Sequence, residues 1–137
     1  MTRKGKEIVA GYCWPGRHKE GDNPWNYYDN SEYQDEVDAS PRDEVILPKG
    51  KYTLEIDYPL STPFRSVFTV GKEGMTRQKF ADFAASKYQF IYSFVQDGME
   101  SNSNWNKYGI WGHGIGDLTF HTLYVDEDNL ITLGVDS

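Results

Sequence analysis

Residues 51–58 have the sequence KYTLEIDY, and this stretch decides the fold class. Its apolar side chains, at Tyr52, Leu54, Ile56 and Tyr58, alternate with polar ones. Strict alternation with a period of two is typical of a strand that has one buried and one solvated face. We therefore predict a strand over 51–58 whose even-numbered residues face the core.

A second strand follows directly. Pro59 ends the first strand because proline has no N–H group to donate to a neighbouring strand. The few residues between Pro59 and Pro63 allow a tight turn, and Phe64–Val70 is rich in β-branched and aromatic residues. Two such strands joined by a short turn predict an antiparallel hairpin.

The segment after this hairpin has the clearest helical signal in the chain. Thr76 is a suitable N-cap, because its hydroxyl can accept a hydrogen bond from a free backbone N–H of the first turn. Apolar residues then recur at the spacing of one helical face, which predicts an amphipathic helix of about 16 residues that covers one face of a sheet. These apolar residues are Phe80, Phe83, Ala84, Tyr88 and Ile91.

Two further strands complete the fold that we predict for residues 45–137. Leu118–Val125 has apolar residues on both faces, as a central strand would, and Leu130–Val135 alternates. The predicted fold class is α+β: an antiparallel sheet with one amphipathic helix on a face, in the order β-hairpin, helix, β-hairpin. This order of elements resembles the β-grasp arrangement of ubiquitin-like domains. The resemblance is limited to element order, and the last four residues, GVDS, lack the terminal Gly-Gly of a conjugated modifier.

Residues 1–44 differ in composition from the rest of the chain. They contain no Phe and no Leu, and from Gly21 onward they are rich in acidic and polar residues. Aromatic residues in such a segment can pack on a neighbouring core while the acids stay in solvent. We predict an irregular N-terminal arm that packs on the 45–137 domain, with one possible short strand at Glu7–Trp14; a mobile tail is the alternative. The aromatic residues from position 25 onward are Trp25, Tyr27, Tyr28 and Tyr33.

Composition and charge restrict the partners that we expect. The chain has 137 residues and 21 Asp and Glu against 14 Lys and Arg, so its formal net charge is −7. An acidic surface repels phosphate backbones, which argues against nucleic acid. Apolar runs are too short for a membrane span or a signal peptide, which argues against a membrane. The lone Cys13 excludes an internal disulfide and favours a reducing compartment, so we expect a cytoplasmic protein.

Few motifs point to chemistry. The chain lacks the GxSxG, HExxH and GxxxxGK[ST] patterns of common hydrolases and nucleotide-binding proteins. On a strand, Asp117 and His121 would lie about 13 Å apart, too far to share one metal ion. We therefore predict no metal and no cofactor. Cys13 could act as a nucleophile if its loop folded back to bring His18 close as a base, but an inert, half-buried cysteine is the prediction.

The long stretch at 97–117 is the predicted functional site. It lacks periodicity, and loops of this length in compact domains are commonly functional or disordered. Its glycines allow close backbone approach to a ligand, and its aromatic residues argue against simple disorder. The alternative is an irregular connection whose apolar residues fill the core. The residues that we expect to bind a partner are Trp105, Tyr108, Trp111, His113 and Asp117.

These observations favour a non-catalytic binding or protein-interaction domain that uses aromatic-rich loops on an acidic surface. We expect a protein partner, and because the net charge attracts cations it favours a basic one. One alternative is a small hydrolase or transferase in which His113 is the general base and Asp117 orients it. A structural or assembly protein is a further alternative, and the sequence leaves the oligomeric state open.

Overall fold

A computed structural model describes residues 5–25, 35, 37–93 and 114–136. It is an α+β fold in which a mixed five-stranded sheet, a two-stranded sheet and one main helix pack together. The main sheet has the strand order β1-β6-β7-β3-β4, and β2 pairs with β5. The elements are β1 (Gly5–Cys13), β2 (Val45–Leu47), β3 (Gly50–Ile56), β4 (Phe64–Val70), β5 (Met75–Thr76), α1 (Arg77–Tyr92), β6 (Thr119–Asp126) and β7 (Leu130–Asp136).

The hairpin and the helix form where the local pattern predicts them. β3 and β4 pair antiparallel, and β4 has the predicted bounds. Thr76 caps α1 as predicted, because its hydroxyl accepts a hydrogen bond of 3.2 Å from the backbone N of Lys79. β3 ends at Ile56, so Tyr58 lies beyond the strand that was predicted to include it.

The prediction of a purely antiparallel sheet is wrong. β3 and β7 are parallel neighbours, with Leu54 opposite Ile131. The chain leaves β4 through α1 and returns as the antiparallel pair β6–β7, and β7 occupies the place beside β3. Leu54 and Ile131 are both fully buried, as expected for central strands. The alternation within each strand identifies its buried face but not the direction of its neighbour.

The core lies between α1 and one face of the main sheet. The helix residues predicted to be apolar contacts are buried, with Phe83 only partly so. Burying each large side chain contributes roughly 1.5–3 kcal/mol to folding, so this layer supplies much of the stability. The sheet residues with no exposed surface are Ala10, Leu54, Phe120, Leu123 and Ile131, and those of the helix are Phe80, Ala81, Ala84 and Ile91.

The N-terminal segment contributes a strand to the main sheet. The short strand predicted at Glu7–Trp14 is confirmed: β1 pairs antiparallel with β6, and Ile8 lies opposite Leu123. Trp25 is buried, and its Nε1 donates a hydrogen bond of 3.3 Å to the carbonyl of Ser40. The division of the chain at residue 44 stays a prediction. Tyr27, Tyr28 and Tyr33, which were predicted to pack on the core as Trp25 does, lie outside the described residues.

Arg77, the first residue of α1, joins the N-terminal segment to the rest of the fold. Its side chain is 4% exposed. The Nε group donates 2.7 Å to the carbonyl of Val9 in β1, and Nη1 donates to the carbonyl of Pro41 and, at 2.8 Å, to the carboxylate of Glu44. A buried guanidinium is stable only when its donors are satisfied and its charge is paired. Arg77 therefore requires β1 and the 41–44 segment to be in place.

Replacing Arg77 by Met tests this link. We expect Arg77→Met to lower the free energy of unfolding by about 2–4 kcal/mol, because two backbone carbonyls and the Glu44 carboxylate lose a buried charged donor. Urea titration followed by tryptophan fluorescence measures the loss. Lys79→Met is the matched control on an exposed position of the same helix, and it should change the value by less than about 0.5 kcal/mol. Equal losses of unfolding free energy in both variants would contradict the role of Arg77 in joining β1 and the 41–44 segment to the helix.

Candidate functional site

Most of the predicted functional loop falls outside the described part of the chain. Trp105, Tyr108, Trp111 and His113 are not among the described residues, so their roles stay predictions. Asp117 is exposed and ends a short 3-10 turn that begins at Ile115. The contact between Asp117 and His113 that the hydrolase or transferase alternative requires therefore also stays a prediction.

His121, four residues after Asp117, is a cross-strand histidine in β6. Its Nδ1 lies 2.8 Å from the hydroxyl of Thr122, and its Nε2 lies 3.5 Å from a carboxylate oxygen of Asp136 on the neighbouring strand. Its ring lies against that of Tyr12, with centroids 5.6 Å apart. Across residues 5–25, 35, 37–93 and 114–136, no three His, Cys, Asp or Glu side chains are grouped so that they could hold a metal ion.

Three side chains, those of Cys13, His18 and Asp82, are in contact in the structure. The sequence suggested only the contact between Cys13 and His18. The backbone turns back after Trp14, whose carbonyl accepts hydrogen bonds from the N–H groups of Arg17 and His18. This turn places His18 Nδ1 3.4 Å from Cys13 Sγ. A nucleophilic Cys13 would need this close approach of a base. On its other side, His18 Nε2 lies 2.6 Å from Oδ1 of Asp82 in α1.

Burial makes this Cys13–His18–Asp82 chain unsuited to nucleophilic chemistry. Cys13 is 1% exposed, deeper than the half-buried position predicted. Burial raises the pKa of its thiol, and the negative charges of Asp82 and Asp22 raise it further. The thiol therefore stays protonated in the folded protein. A nucleophilic cysteine needs an accessible thiolate, and this arrangement opposes both conditions.

A groove of about 590 Å³ runs beside this chain, between α1 and residues 18–20. Two polar side chains that line the groove, Asp82 and Gln89, bind the protein's own backbone. Gln89 Nε2 donates 2.7 Å to the carbonyls of Pro15 and His18, and the backbone N–H of Gly21 donates to both carboxylate oxygens of Asp82. Asp82 and Gln89 therefore fasten the 14–22 loop onto the helix. Their pairing with this loop could not be predicted from the sequence, because more than 60 positions separate the partners.

A smaller cavity of about 320 Å³ lies at one end of the main sheet, next to β2. Most of its floor is apolar and buried, and its rim carries the charged groups. No local sequence pattern indicates this cavity, because its residues come from four strands and two turns. The floor consists of Ile8, Ile46, Leu47, Tyr52 and Val125, and the rim includes Lys6, Asp126, Glu127 and Asn129.

The two edges of the main sheet differ in what lies beside them. At β1, Arg77 donates to the carbonyl of Val9, and the N–H of Tyr12 donates to the carbonyl of Pro24. At the opposite edge, β4 has one neighbouring strand, β3, among the elements that the structure describes. Val67, at the centre of β4, is 59% exposed. An exposed edge strand offers its backbone groups to another polypeptide.

Aromatic rings line the side of β4 that faces the helix. Phe68 packs on Phe83 of α1 with ring centroids 4.5 Å apart and on Tyr52 of β3 at 5.7 Å. The ammonium group of Lys87 lies 5.1 Å above the Phe83 ring. We call Phe68, Phe83 and Lys87 the aromatic seam. It presents apolar surface and one cation directly beside the open edge.

Comparisons with known proteins add no assignment. No protein-family model, no curated protein and no solved structure matches the chain. Among the residues that the structure describes, no helix is long and apolar enough to cross a membrane.

The buried thiol makes stability depend on pH in a way that can be measured. In the unfolded chain the Cys13 thiol loses its proton above about pH 8.5, whereas the folded protein retains it. The free energy of unfolding of the parent should therefore fall by up to about 1.4 kcal/mol for each pH unit above 8.5, and Cys13→Ala should lack this contribution. Urea titrations of both proteins between pH 8 and pH 10 measure it, since all other groups are shared. Parallel pH profiles would show that the thiol ionises as readily in the folded state.

Proposed function

We propose that the protein is a non-catalytic protein-interaction domain, and that it binds an extended segment of a partner along the open edge of β4. The observation that carries this proposal is the exposed centre of β4, where Val67 is 59% exposed on a strand with one described neighbour. In strand addition, backbone hydrogen bonds supply affinity and pockets for alternate side chains supply specificity.

The side chains around β4 support this mode of binding. Arg65, Val67 and Thr69 lie on the exposed face, and Ser66 and Phe68 lie on the helix side. Alternate residues of an added strand would therefore contact Val67 on one side and the aromatic seam on the other. Arg65 is ion-paired with Glu55 at 2.7 Å, so the edge does not present an uncompensated charge at that position.

The partner's chemistry follows from both the edge and the whole chain. The edge selects a segment with apolar residues at alternate positions. The net charge of −7 attracts a basic protein at long range, which raises the rate of encounter without determining the contact. We keep the cytoplasm as the proposed location, because the one cysteine is a buried thiol.

We also propose that residues 45–137 have the β-grasp arrangement. The parallel pairing of β3 with β7, between the β3–β4 hairpin and β6, supports it. In this arrangement the hairpin strand β4 lies at the edge of the sheet, and β1 extends the sheet at the other edge.

Two other functions remain as alternatives. Catalysis by His113 and Asp117 would need the loop that lies outside the described residues. Assembly of identical copies is the second alternative, and it would use the same β4 edge with a second copy as the added strand.

Selection of peptides on the full chain tests the proposal. A random 12-residue peptide library displayed on phage should yield binders with apolar residues at alternate positions, and their binding should shift the amide NMR signals of β4. Strand addition uses every second amide of the peptide. N-methylation of one alternate set of amides should therefore abolish binding, while methylation of the other set should leave it within about threefold.

Matched protein variants complete this test. Val67→Lys should weaken binding about fivefold by removing an apolar cross-strand contact. Val9→Lys, at the β1 edge, should leave it unchanged. Failure to select any peptide, equal effects of the two methylation sets, or shifts confined to other strands would overturn the proposal. A dimer that Val67→Lys dissociates would favour assembly instead.

A further inference from the structure

The cavity at the end of the main sheet has the composition of a ligand site. Its volume of about 320 Å³ lies at the lower end of the range for small-molecule pockets. It is lined by residues of β1, β2, β3 and β6 and of the turns beside them. It shares no lining residue with β4, so it is independent of the proposed docking edge.

The side chains on the floor of this cavity are mostly apolar. Ile46, Leu47 and Tyr52 are each less than 10% exposed, and the lining of the cavity exposes more apolar than polar surface. The Tyr52 hydroxyl already donates 2.8 Å to the carbonyl of Pro48. A polar ligand group at the floor would lose its water without gaining a partner. The floor therefore selects an alkyl or aryl group.

The rim determines the charge that the ligand should carry. It holds two carboxylates, Asp126 and Glu127, and one ammonium, Lys6. Asp126 is fixed in position, because its Oδ1 accepts hydrogen bonds of 2.8 and 2.9 Å from the N–H groups of Asp128 and Leu130. Glu127 is exposed and has no ion-pair partner among the described residues. The rim thus has an excess of negative charge, in a chain whose net charge is −7.

We propose that this cavity binds a small apolar cation, a primary ammonium on an alkyl or arylalkyl group, with the apolar group among Ile8, Ile46 and Val125 and the ammonium beside Glu127. An anion with the same apolar group would be repelled by the two carboxylates at the rim and attracted only by Lys6. Charge therefore separates the two ligand types.

Three probes of equal chain length test this proposal on the full chain: hexylammonium, hexanol and hexanoate. Titrations followed by amide and methyl NMR signals should show saturable shifts at Ile8, Ile46 and Val125, with a dissociation constant on the order of 1 mM for hexylammonium. Hexanol should bind several-fold more weakly, and hexanoate more weakly still. Equal binding of all three, tighter binding of hexanoate, or no shifts at the cavity would overturn the proposal.

Variants separate the floor from the rim. Glu127→Gln should weaken hexylammonium binding roughly two- to fivefold and leave hexanol unchanged, because only the ion pair is lost. Ile8→Phe should fill the cavity and abolish binding of hexylammonium. Val9→Phe, on the next residue of the same strand, is the matched control and should bind as the parent does. If Glu127→Gln and Ile8→Phe both bind hexylammonium as the parent does, the shifts arise elsewhere and the assignment is wrong.

Discussion

The fold depends on one buried cation. Arg77 begins the helix that covers the sheet, and its guanidinium is surrounded by the carbonyls of Val9 and Pro41 and the carboxylate of Glu44. Taking a guanidinium out of water costs several kcal/mol unless these acceptors are present. The helix can therefore pack on the sheet only when the N-terminal strand and the segment before β2 are already beside it. A segment poor in aliphatic residues becomes part of the sheet through these polar contacts as well as through the buried side chains of Ala10 and Cys13.

The same dependence explains the difference between the two sheet edges. β1 has Arg77 at its edge, and the loop that follows β1 is fastened to the helix through Asp82 and Gln89. The His18 ring uses both nitrogens in this fastening, and Cys13 remains a buried thiol. What looks like a catalytic set of groups is a structural contact. β4 lacks such cover among the described residues, which is why we propose that edge for interaction with another polypeptide.

Local patterns predicted the helix and the five strands of the main sheet, but not the short strands β2 and β5. Long-range contacts account for the other features that local patterns missed. The bounds of β4 and the cap at Thr76 follow from neighbouring residues, because alternation and capping are properties of a short stretch. The parallel pairing of β3 with β7 depends on where the chain returns after the helix, which no strand pattern records. The contact of His18 with Asp82 joins residues 64 positions apart. For the site, the prediction of a long loop stays untested at His113 and its aromatic neighbours, whereas the cavity and the open edge emerge only from tertiary packing.

Native-state hydrogen exchange measures the central claim, that β1 and the helix form one cooperative unit joined by Arg77. The amides of β1 that bond to β6, those of β6 that bond to β7, and those of the middle of α1 should all open with the same free energy, equal to the global free energy of unfolding. In Arg77→Met, the β1 amides should open at lower free energy than those of β6 and β7. If the β1 amides of the parent already exchange several kcal/mol more easily than those of the helix, the N-terminal strand is an independent addition to the fold and the account is wrong.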